Sequence, residues 1–498
     1  MKKINFLKFF ALVIFCSLLL NISNVFAQDY LFNENEITEA HTKKEIIQKM
    51  NDIIKYNYNN SEYAVNPSIK APYAAGSLQQ GVIQDTLRSI NFYRWLVGLN
   101  PVTVKYDKME RNQKGAVVLA ANRVLSHTPT KPADMDEAFY QEAYAGCYFG
   151  ATPGDYYSGN VSLDSSIMPK IIDGYISDIY NANTSNGAVG HRNSILDPLA
   201  YSASFGKAGS YSTLSVYYAL SIAQYNSLSQ NEFVVEPFFA YPSSGNFPRS
   251  LFRANECWSV LFIYSAEYSS SMKATFEYNG KQYVADQFMK EGSEPIVSFK
   301  MPAALIRDLG ISNSSKMPAC SIRVKVEGYK VEDGQSNVTL DYTVNFFDEN
   351  NIVNDFTLSQ TTITLEQGES TTVPLTLSPS GAVADSIVWS TEDTHYIRVS
   401  EDGTIRAIRP GTATVKVNVD GIEKTITVNI SGNTNFLLGD LDRNGVVDAN
   451  DASIALELYK STTGEFDVED ILRGDLDNND LIDANDASLI LELYKTNN

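Results

Sequence analysis

Residues 439–460 read GDLDRNGVVDANDASIALELYK, and residues 474–495 repeat this stretch as GDLDNNDLIDANDASLILELYK. Sixteen of the 22 aligned positions are identical, and the two copies lie 35 residues apart. In each copy an acidic segment precedes a run in which apolar residues recur at the spacing of one helix face. The repeat therefore predicts two copies of a loop followed by one helix.

Each loop has oxygen-bearing side chains at positions 1, 3, 5, 9 and 12, and the residue at position 7 can add a backbone carbonyl. A hard cation such as Ca²⁺ takes about six to eight oxygen ligands, which this spacing can supply. Position 12 is Asp rather than Glu, and Asp480 stands where such a turn usually has Gly. The predicted ligands of two calcium ions are Asp440, Asp442, Asn444, Val446, Asp448 and Asp451, then Asp475, Asp477, Asn479, Leu481, Asp483 and Asp486.

Residues 438–498 as a whole resemble the type I dockerin, a module that attaches extracellular proteins to cohesins. The resemblance implies calcium-dependent binding to a cohesin module of a scaffoldin in a cellulosome. It also implies that the partner recognises Ala449 and Asn450 in the first copy and Ala484 and Asn485 in the second. Because the two pairs are identical, we expect two binding orientations related by the repeat.

Residues 1–27 have the pattern of a cleaved signal peptide, with two lysines, an apolar run and a terminal Val-Phe-Ala. No later stretch is apolar over the length of a membrane span. We therefore expect a secreted, extracellular, cellulosome-associated protein without a membrane anchor. The net charge is -20, more than half of it in residues 438–498, and no basic patch indicates a nucleic-acid partner.

The cysteines that follow the signal peptide are Cys147, Cys257 and Cys320, too few for a disulfide scaffold. One bridge at most can form, and the pair Cys257–Cys320 is favoured because both residues lie in one predicted β domain. A free cysteine such as Cys147 is typically buried and inert rather than a nucleophile.

Residues 28–80 form a polar leader with a helical pattern near 44–56, and helical, apolar patterns begin at residue 81. Four short motifs follow in order: NFYRWLVGLNP at 91–101, SHTP at 126–129, YISD at 175–178 and GHRN at 190–193. Together they make residues 81–225 resemble the bacterial form of the CAP superfamily, the cysteine-rich secretory, antigen 5 and pathogenesis-related-1 group. The resemblance implies an α-β-α sandwich with a cleft of two histidines and two acidic residues.

His127, His191 and Asp178 match three of these cleft positions, whereas Gly159 stands where the family often has Glu. Two imidazoles and one carboxylate could bind a divalent metal weakly, or act as general acid and base. The histidines could equally be structural groups lining a binding groove. We therefore keep two functions: a binding protein, whose ligand is a glycan, lipid or protein, and a hydrolase acting on peptide or glycan. The missing carboxylate and the absence of a nucleophile motif favour the binding protein.

Residues 232–348 alternate in a β pattern, with Asn279-Gly280 as a tight hairpin turn and Trp258 in the expected core. Residues 355–430 resemble the bacterial immunoglobulin-like group 2 domain, through motifs such as VWS at 388–390 and GTATV at 411–415. A linker, 431–437, leads to the repeat. The predicted fold is thus multidomain: an α-β-α sandwich, then all-β sandwich domains, and a small all-α calcium-binding module.

Overall fold

A computed structural model describes residues 41–148, 150–152, 155–179, 189–229, 231–233, 238–262, 266–290, 296–331, 338–432, 437–460 and 468–497. The predicted signal peptide, residues 1–27, lies outside the described residues, as does most of the predicted linker. The chain divides into two compact units, one ending at Glu349 and the other beginning at Asn350. Among the helices described, none is both long and apolar enough to cross a membrane.

The first part of the first unit combines helices with a five-stranded sheet and a separate two-stranded sheet. Its described helices are α1 (Lys43–Asn51), α2 (Gln80–Leu96), α3 (Met109–Asn122), α4 (Glu137–Cys147), α5 (Met168–Ser177), α6 (Gly190–Ile195) and α7 (Ile222–Leu228). Its strands are β1 (Tyr63–Val65), β2 (Ser77–Leu78), β3 (Thr103–Val104), β4 (Gly150–Thr152), β5 (Asp155–Leu163), β6 (Ala200–Ala208) and β7 (Tyr211–Tyr218). In the two-stranded sheet β1 pairs with β2. The order of the five-stranded sheet is β3-β6-β7-β5-β4, and only its short β3–β6 pair is parallel.

Helices cover both faces of this sheet. Asn112 of α3 donates to the hydroxyls of Thr213 and Ser215 on β7, at 3.2 and 3.0 Å. The intervening residue Ser212 instead faces Tyr175 of α5, with 3.2 Å between the hydroxyls. Because successive residues of a strand point to opposite faces, α3 and α5 lie on opposite sides of β7.

The leader is part of this fold from residue 41 onward. Helix α1 begins with a capping box between Thr42 and Glu45 and ends at Asn51, which is earlier than the sequence pattern predicts. Farther along, Glu62 accepts hydrogen bonds from Lys207 Nζ at 2.6 Å and from the backbone N–H of Met168 at 2.9 Å. These contacts join the leader to β6 and α5, so it is not a free arm.

The remainder of the first unit contains two sheets of β strands. The strands are β8 (Phe238–Tyr241), β9 (Gly245–Pro248), β10 (Trp258–Phe262), β11 (Ala266–Tyr278), β12 (Lys281–Val284), β13 (Asp286–Lys290), β14 (Ile296–Lys300), β15 (Cys320–Val331) and β16 (Val338–Phe347), and α8 spans Ala303–Asp308. The sheet orders are β13-β14-β10-β8 and β12-β11-β15-β16-β9. Trp258 is fully buried, as predicted, and its ring packs edge-on against Phe276 and Phe346.

The predicted hairpin turn is present between β11 and β12. Asn279 and Gly280 both have positive φ, 50° and 73°, and Tyr278 pairs with Lys281 across the turn. Two consecutive positive φ angles match the right-handed twist of the flanking strands, and Asn-Gly adopts them at little cost.

The second unit begins with a small β sandwich. Its strands are β17 (Asp355–Leu358), β18 (Thr362–Glu366), β19 (Ser370–Thr372), β20 (Leu375–Ser378), β21 (Ile387–Ser390), β22 (Ile397–Val399), β23 (Thr404–Ala407), β24 (Gly411–Val419) and β25 (Ile422–Ser431). The two larger sheets are β18-β25-β24-β21 and β19-β23-β22. Ala413, Val415 and Val417 of β24 are buried, alternating with more exposed polar residues as predicted. Trp389, expected inside the core, is half-buried and packs against it.

The repeat forms a three-helix module, with α9 at Ala449–Lys460, α10 at Val468–Gly474 and α11 at Ala484–Asn497. Helices α9 and α11 are the predicted ones, whereas α10 was not predicted. The buried core is small and follows the repeat, since Val447 and Ile482 occupy equivalent positions. The remaining core residues are Leu441, Ala452, Ala455, Ala487 and Ile490.

Candidate functional site

Two carboxylate triads form the most specific polar sites in the described residues. The ligand-type atoms of Asp440, Asp442 and Asp451 all lie within 4.8 Å of one another, and those of Asp475, Asp477 and Asp486 do the same. In each triad the first and last carboxylates are buried and the middle one is exposed. Such a group of acidic oxygens can hold a metal ion and is electrostatically costly without a cation.

The loop backbones are folded around these carboxylates in the same way. The first aspartate accepts the N–H groups of loop positions 5 and 6, at 3.0 and 3.0 Å for Asp440 and at 3.0 and 2.9 Å for Asp475. The last aspartate accepts the N–H of position 9, at 2.8 Å for Asp451 and 2.9 Å for Asp486. The sequence repeat is therefore also a repeat of hydrogen bonds.

The other predicted ligands are differently engaged. Asn444 and Asn479, at position 5, accept the N–H of position 7, that is of Val446 and Leu481, both at 2.8 Å. The position-9 residues lie outside the triads, since Asp448 accepts the N–H of Asn450 at 2.6 Å and Asp483 accepts that of Asn485 at 2.7 Å. Three of the four predicted carboxylates thus meet in each loop, and the fourth lies at the start of the helix.

The two loops differ at position 6. Gly445 has φ of 85° and Asp480 has φ of 69°, so Asp480 adopts the left-handed conformation that glycine adopts without cost. Position 4 is left-handed in both loops, with φ of 61° at Arg443 and at Asn478. Loop two therefore contains two strained non-glycine residues, and loop one contains one.

The exposed surface of the module also follows the repeat. The recognition residues expected from the resemblance, Ala449, Asn450, Ala484 and Asn485, are all exposed. Large apolar side chains are exposed in equivalent pairs, one pair in the loops and two pairs in the helices. These pairs are Val446 with Leu481, Leu456 with Leu491, and Tyr459 with Tyr494.

In the first unit, the structure brings His127, Asp178 and His191 together. Asp178 follows α5 in a left-handed conformation with φ of 52°, and His191 lies in the first turn of α6. Asp178 accepts from the backbone N–H of His191 at 2.9 Å and lies 3.0 Å from its Nδ1. One carboxylate therefore both caps the helix and orients the imidazole.

His127 lies across from this pair, with 6.4 Å between the centroids of the two imidazole rings. Its Nδ1 lies 3.1 Å from the carbonyl of Cys147, and burial lowers the pKa of His127. An oxygen acceptor at each Nδ1 assigns the proton to that nitrogen, which makes Nε2 the basic atom of both rings.

The donor atoms of His127, Asp178 and His191 do not all lie within 4.8 Å of one another. Among the described residues, no group of three His, Cys, Asp or Glu within metal-binding distance includes His127, Asp178 or His191. Asp178 instead contacts His191 in the manner of an outer partner of a ligand or base. The arrangement can supply two imidazoles to a ligand or metal, and one His–Asp pair for proton transfer.

Gly159, which stands where the family often has glutamate, has no room for a larger side chain. A Cβ atom at Gly159 would lie 2.3 Å from the carbonyl oxygen of Tyr148 and 3.0 Å from that of Cys147. Glutamate therefore does not fit here without moving the backbone. The neighbouring Asn160 is buried and donates to Ser194 Oγ at 3.1 Å, so it is engaged in structure rather than in the cleft.

The three described cysteines are free thiols, so the favoured Cys257–Cys320 bridge is absent. Cys147 is fully buried, and burial raises the pKa of its thiol well above the usual range. A neutral buried thiol is a poor nucleophile, which agrees with the expectation for Cys147.

Sequence reasoning missed Arg192, which joins the cleft to the following β strands. Its guanidinium donates to the carbonyls of Ile176 and Cys257, both at 2.6 Å, and stacks over Tyr241 at 4.5 Å. Buried Glu256 faces this guanidinium, and burial raises its pKa to about 7. Arg192 directly follows His191, so the histidine's helix is anchored to the β sandwich. The signal available in the sequence was the position of Arg192, a charged residue directly after His191 in the GHRN motif.

The second unit contains a bacterial Ig-like domain: residues 352–429 match the family described as bacterial Ig-like domain (group 2). This confirms the resemblance inferred for 355–430. An alpha-L-arabinofuranosidase of Bifidobacterium longum subsp. longum is 32% identical over 84 residues, which are 16% of this chain and 8% of that protein. The chain thus spans less than a tenth of that relative's length.

Solved structures of other proteins are also similar over part of this chain. Domains 4 and 5 of the S-layer protein SbsC share 17% identity and cover 31% of this chain and 98% of that one, with a TM-score of 0.16. The fibronectin(III)-like modules of Clostridium thermocellum CbhA share 11% identity over 36% and 85% of the two chains, with a TM-score of 0.17. The structure itself contains several β-sheet domains together with helices, and residues 352–429 are the part that matches the bacterial Ig-like family.

Proposed function

We propose that this protein is a secreted, non-enzymatic component of a cellulosome, attached through a calcium-dependent dockerin to a cohesin of the scaffoldin. The observation that carries the proposal is the pair of carboxylate triads, repeated 35 residues apart with matching hydrogen bonds. The N-terminal half would then display a CAP domain for ligand binding within a polysaccharide-degrading complex. The similarity to a protein named alpha-L-arabinofuranosidase is in keeping with that setting.

The residues fit calcium by the chemistry of their donors. Both loops offer carboxylate, amide and backbone carbonyl oxygens, and neither contains a histidine or cysteine that would favour zinc or copper. Calcium would neutralise the triads and fix the entry of helices α9 and α11. Position-9 Asp448 and Asp483, which lie outside the triads, would contribute through water, as this loop position often does.

The partner surface would be the exposed, repeated face of α9 and α11. Equivalent apolar side chains, such as Leu456 and Leu491, are exposed to similar extents, 38% and 37%. The polar residues beside them, Asn450 and Asn485, are identical and exposed. A partner that recognises one copy would meet nearly the same surface after a half turn, so two binding orientations are expected.

If cohesin binds in two orientations, substituting the recognition residue of one copy alone should change its affinity very little. In Asn450→Ala, cohesin can still bind through the second copy, and affinity should fall by only about twofold for loss of one of two equal modes. Asn450→Ala with Asn485→Ala should weaken binding by at least about tenfold, because both modes lose a central contact. Calorimetric titration with a type I cohesin measures both effects.

Asn485→Ala alone is the matched control, since the repeat predicts the same small effect as for Asn450→Ala. Unchanged calcium binding in the double variant would show that the module is intact. A single substitution that abolishes binding would contradict the two-orientation proposal and indicate one fixed mode.

A hydrolase is the second candidate, because of the His191–Asp178 pair in the first unit. The 3.0 Å contact orients His191 as a general base would be oriented, and His127 lies on the other side of the cleft. The substrate would be a peptide or glycan. The thiol of Cys147 is buried, so in this candidate mechanism the attacking group would be a water molecule.

If the cleft is catalytic, His191→Ala should lower kcat on the cleaved peptide or polysaccharide by roughly a hundredfold or more, because the general base is lost. Asp178→Asn should also lower kcat, since it misorients the imidazole. Both variants should be made in the full chain, because Arg192 joins this helix to the β sandwich. The binding-protein proposal instead expects no turnover that depends on His191, and a hydrolysis lost in both folded variants would overturn it.

A further inference from the structure

The Ig-like domain contacts the second calcium loop through one buried arginine. Arg409 lies just after β23, and its guanidinium pairs with Asp475 and Asp480 of the loop. It also donates from Nε to Asn478 Oδ1 at 3.1 Å. The Asp475 side chain is fully buried and that of Arg409 is 10% exposed, so this is a desolvated contact.

Further contacts surround the arginine and make a continuous interface. Ile408 packs with Ile471 and Leu472 of helix α10 in a small buried apolar cluster. Arg406 of β23 pairs with Glu469 at the start of the same helix. The helix that the sequence did not predict is therefore the one that packs on the Ig-like domain.

His395 of the Ig-like domain belongs to the same interface. Its Nδ1 lies 3.3 Å from Asp480 Oδ2, and its carbonyl accepts from Arg409 Nη1 at 2.9 Å. The side chain of Asp480 is thus contacted from two positions of the Ig-like domain. Its counterpart in loop one, Gly445, has no side chain to be held.

The two loops differ in charge and in the arginine that contacts their first aspartate. Arg473 of the module lies 3.6 Å from Asp440 of loop one, whereas Arg409 of the Ig-like domain pairs with Asp475 of loop two. Loop one, residues 440–451, contains four carboxylates and Arg443, whereas loop two, residues 475–486, contains five carboxylates and no basic residue. Arg443 lies 3.7 Å from Asp470 within the module. The positive charge that contacts loop two therefore comes from Arg409, which lies outside the repeat.

We infer that Arg409 is an outer-shell component of the second calcium site, so that the Ig-like domain sets the calcium affinity of loop two but not of loop one. The inference rests on the proposed function, since it takes both loops to bind calcium. In this arrangement the Ig-like domain contributes a side chain to one of the two calcium sites.

The expected direction follows from the loop geometry. Arg409 bridges positions 1, 4 and 6 of the loop, and positions 4 and 6 are the two strained residues, Asn478 and Asp480. Holding them in place before calcium arrives lowers the cost of forming the site. The guanidinium also repels the calcium ion, which acts against this preorganisation. We expect the preorganisation to prevail, because the five carboxylates of the loop carry more negative charge than one Ca²⁺ ion neutralises.

The test measures amide hydrogen exchange of the full chain across a calcium titration, which reports each loop separately. In Arg409→Gln, the calcium concentration that half-protects residues 475–497 should rise roughly tenfold, as for loss of an outer-shell partner. The midpoint for residues 440–460 should change much less. Lys416→Gln is the control, because Lys416 forms an exposed ion pair with Glu392 on the same domain.

A second variant separates the role of Arg409 from general damage. Asp480→Gly restores glycine at position 6 and removes the extra charge, so the effect of Arg409→Gln should shrink in that background. Equal effects in both backgrounds, an unchanged midpoint for loop two, or a tighter loop two would each overturn the inference while leaving calcium binding intact. A wild-type chain in which neither loop responds to calcium overturns the proposed function, and this inference with it.

Discussion

Removing calcium should unfold the C-terminal module while leaving the first unit folded. Without a cation, each triad holds three carboxylates whose oxygens lie within 4.8 Å of one another, two of the three being buried. The apolar core that would have to oppose this repulsion consists of seven small or medium side chains. Because so small a core rarely folds alone, the free energy of calcium binding should supply most of the module's stability.

Hydrogen exchange in calcium and in excess chelator checks this expectation. Residues 440–460 and 475–497 should lose nearly all protection in chelator, whereas α2 and α3 should keep theirs. Asp451→Ala with Asp486→Ala should produce the same loss even in saturating calcium, because each removes a buried triad member. Asp402→Ala, at an exposed turn of the Ig-like domain, is the control. Full protection of the module in chelator would show that calcium is not required.

The repeat could be predicted from sequence because its information is local. Ligand spacing and helix periodicity lie within 22 residues, and the structure places α9 and α11 directly after the loops. Helix α10 was missed because its stabilising partner, Ile408, lies in another domain. The departure from glycine at Asp480 was visible in the repeat, and φ is 69° there, but the arginine that pairs with its side chain lies outside the repeat and could not be seen from it.

The β domains could also be predicted where their patterns are local in the sequence. The Asn279-Gly280 turn and the alternation in β24 are short-range patterns, and both are present in the structure. The Ig-like boundaries differ by only a few residues from the family match at 352–429. Trp389 shows the limit, because whether an aromatic lies inside a sandwich or at its edge depends on the strands packed beside it.

The cleft residues came from resemblance, and the structure brings them together without the metal geometry that was suggested. Three of its features depend on long-range contacts that no local pattern contains. The carbonyl of Tyr148 closes position 159, the pairing of Asp178 with His191 removes the carboxylate as a third ligand, and Arg192 reaches Cys257 across 65 positions of sequence. The sequence prediction divided the first unit between residues 225 and 232, whereas the contact of Arg192 with Cys257 joins the two parts.

Arg192→Ala should strongly destabilise the first unit. The guanidinium satisfies the carbonyls of Ile176, Ser177 and Cys257 and opposes the charge of buried Glu256. Its loss leaves these acceptors unsatisfied and the carboxylate without its counter-charge, which typically costs about 3–5 kcal/mol of unfolding free energy. Hydrogen exchange across α5, α6 and β10 measures this change. The control is Arg323→Ala, which removes a half-buried ion pair with Asp341 and should cost only about 1 kcal/mol.

The destabilisation should depend on pH through Glu256, whose pKa burial raises to about 7 from its usual 4.5. Between these values the folded chain binds a proton that the unfolded chain does not, so stability is fullest below about pH 4.5 and falls as the pH rises toward 7. Without Arg192 the charged carboxylate is less favourable still, so Arg192→Ala should cost more at pH 8 than at pH 5. Adding Glu256→Gln should recover part of the loss at pH 8 and little at pH 5, because it removes a charge that exists only at the higher pH. A cost of Arg192→Ala that is the same at both pH values would show that its hydrogen bonds to the carbonyls, rather than its charge, hold the cleft helix to the β sandwich.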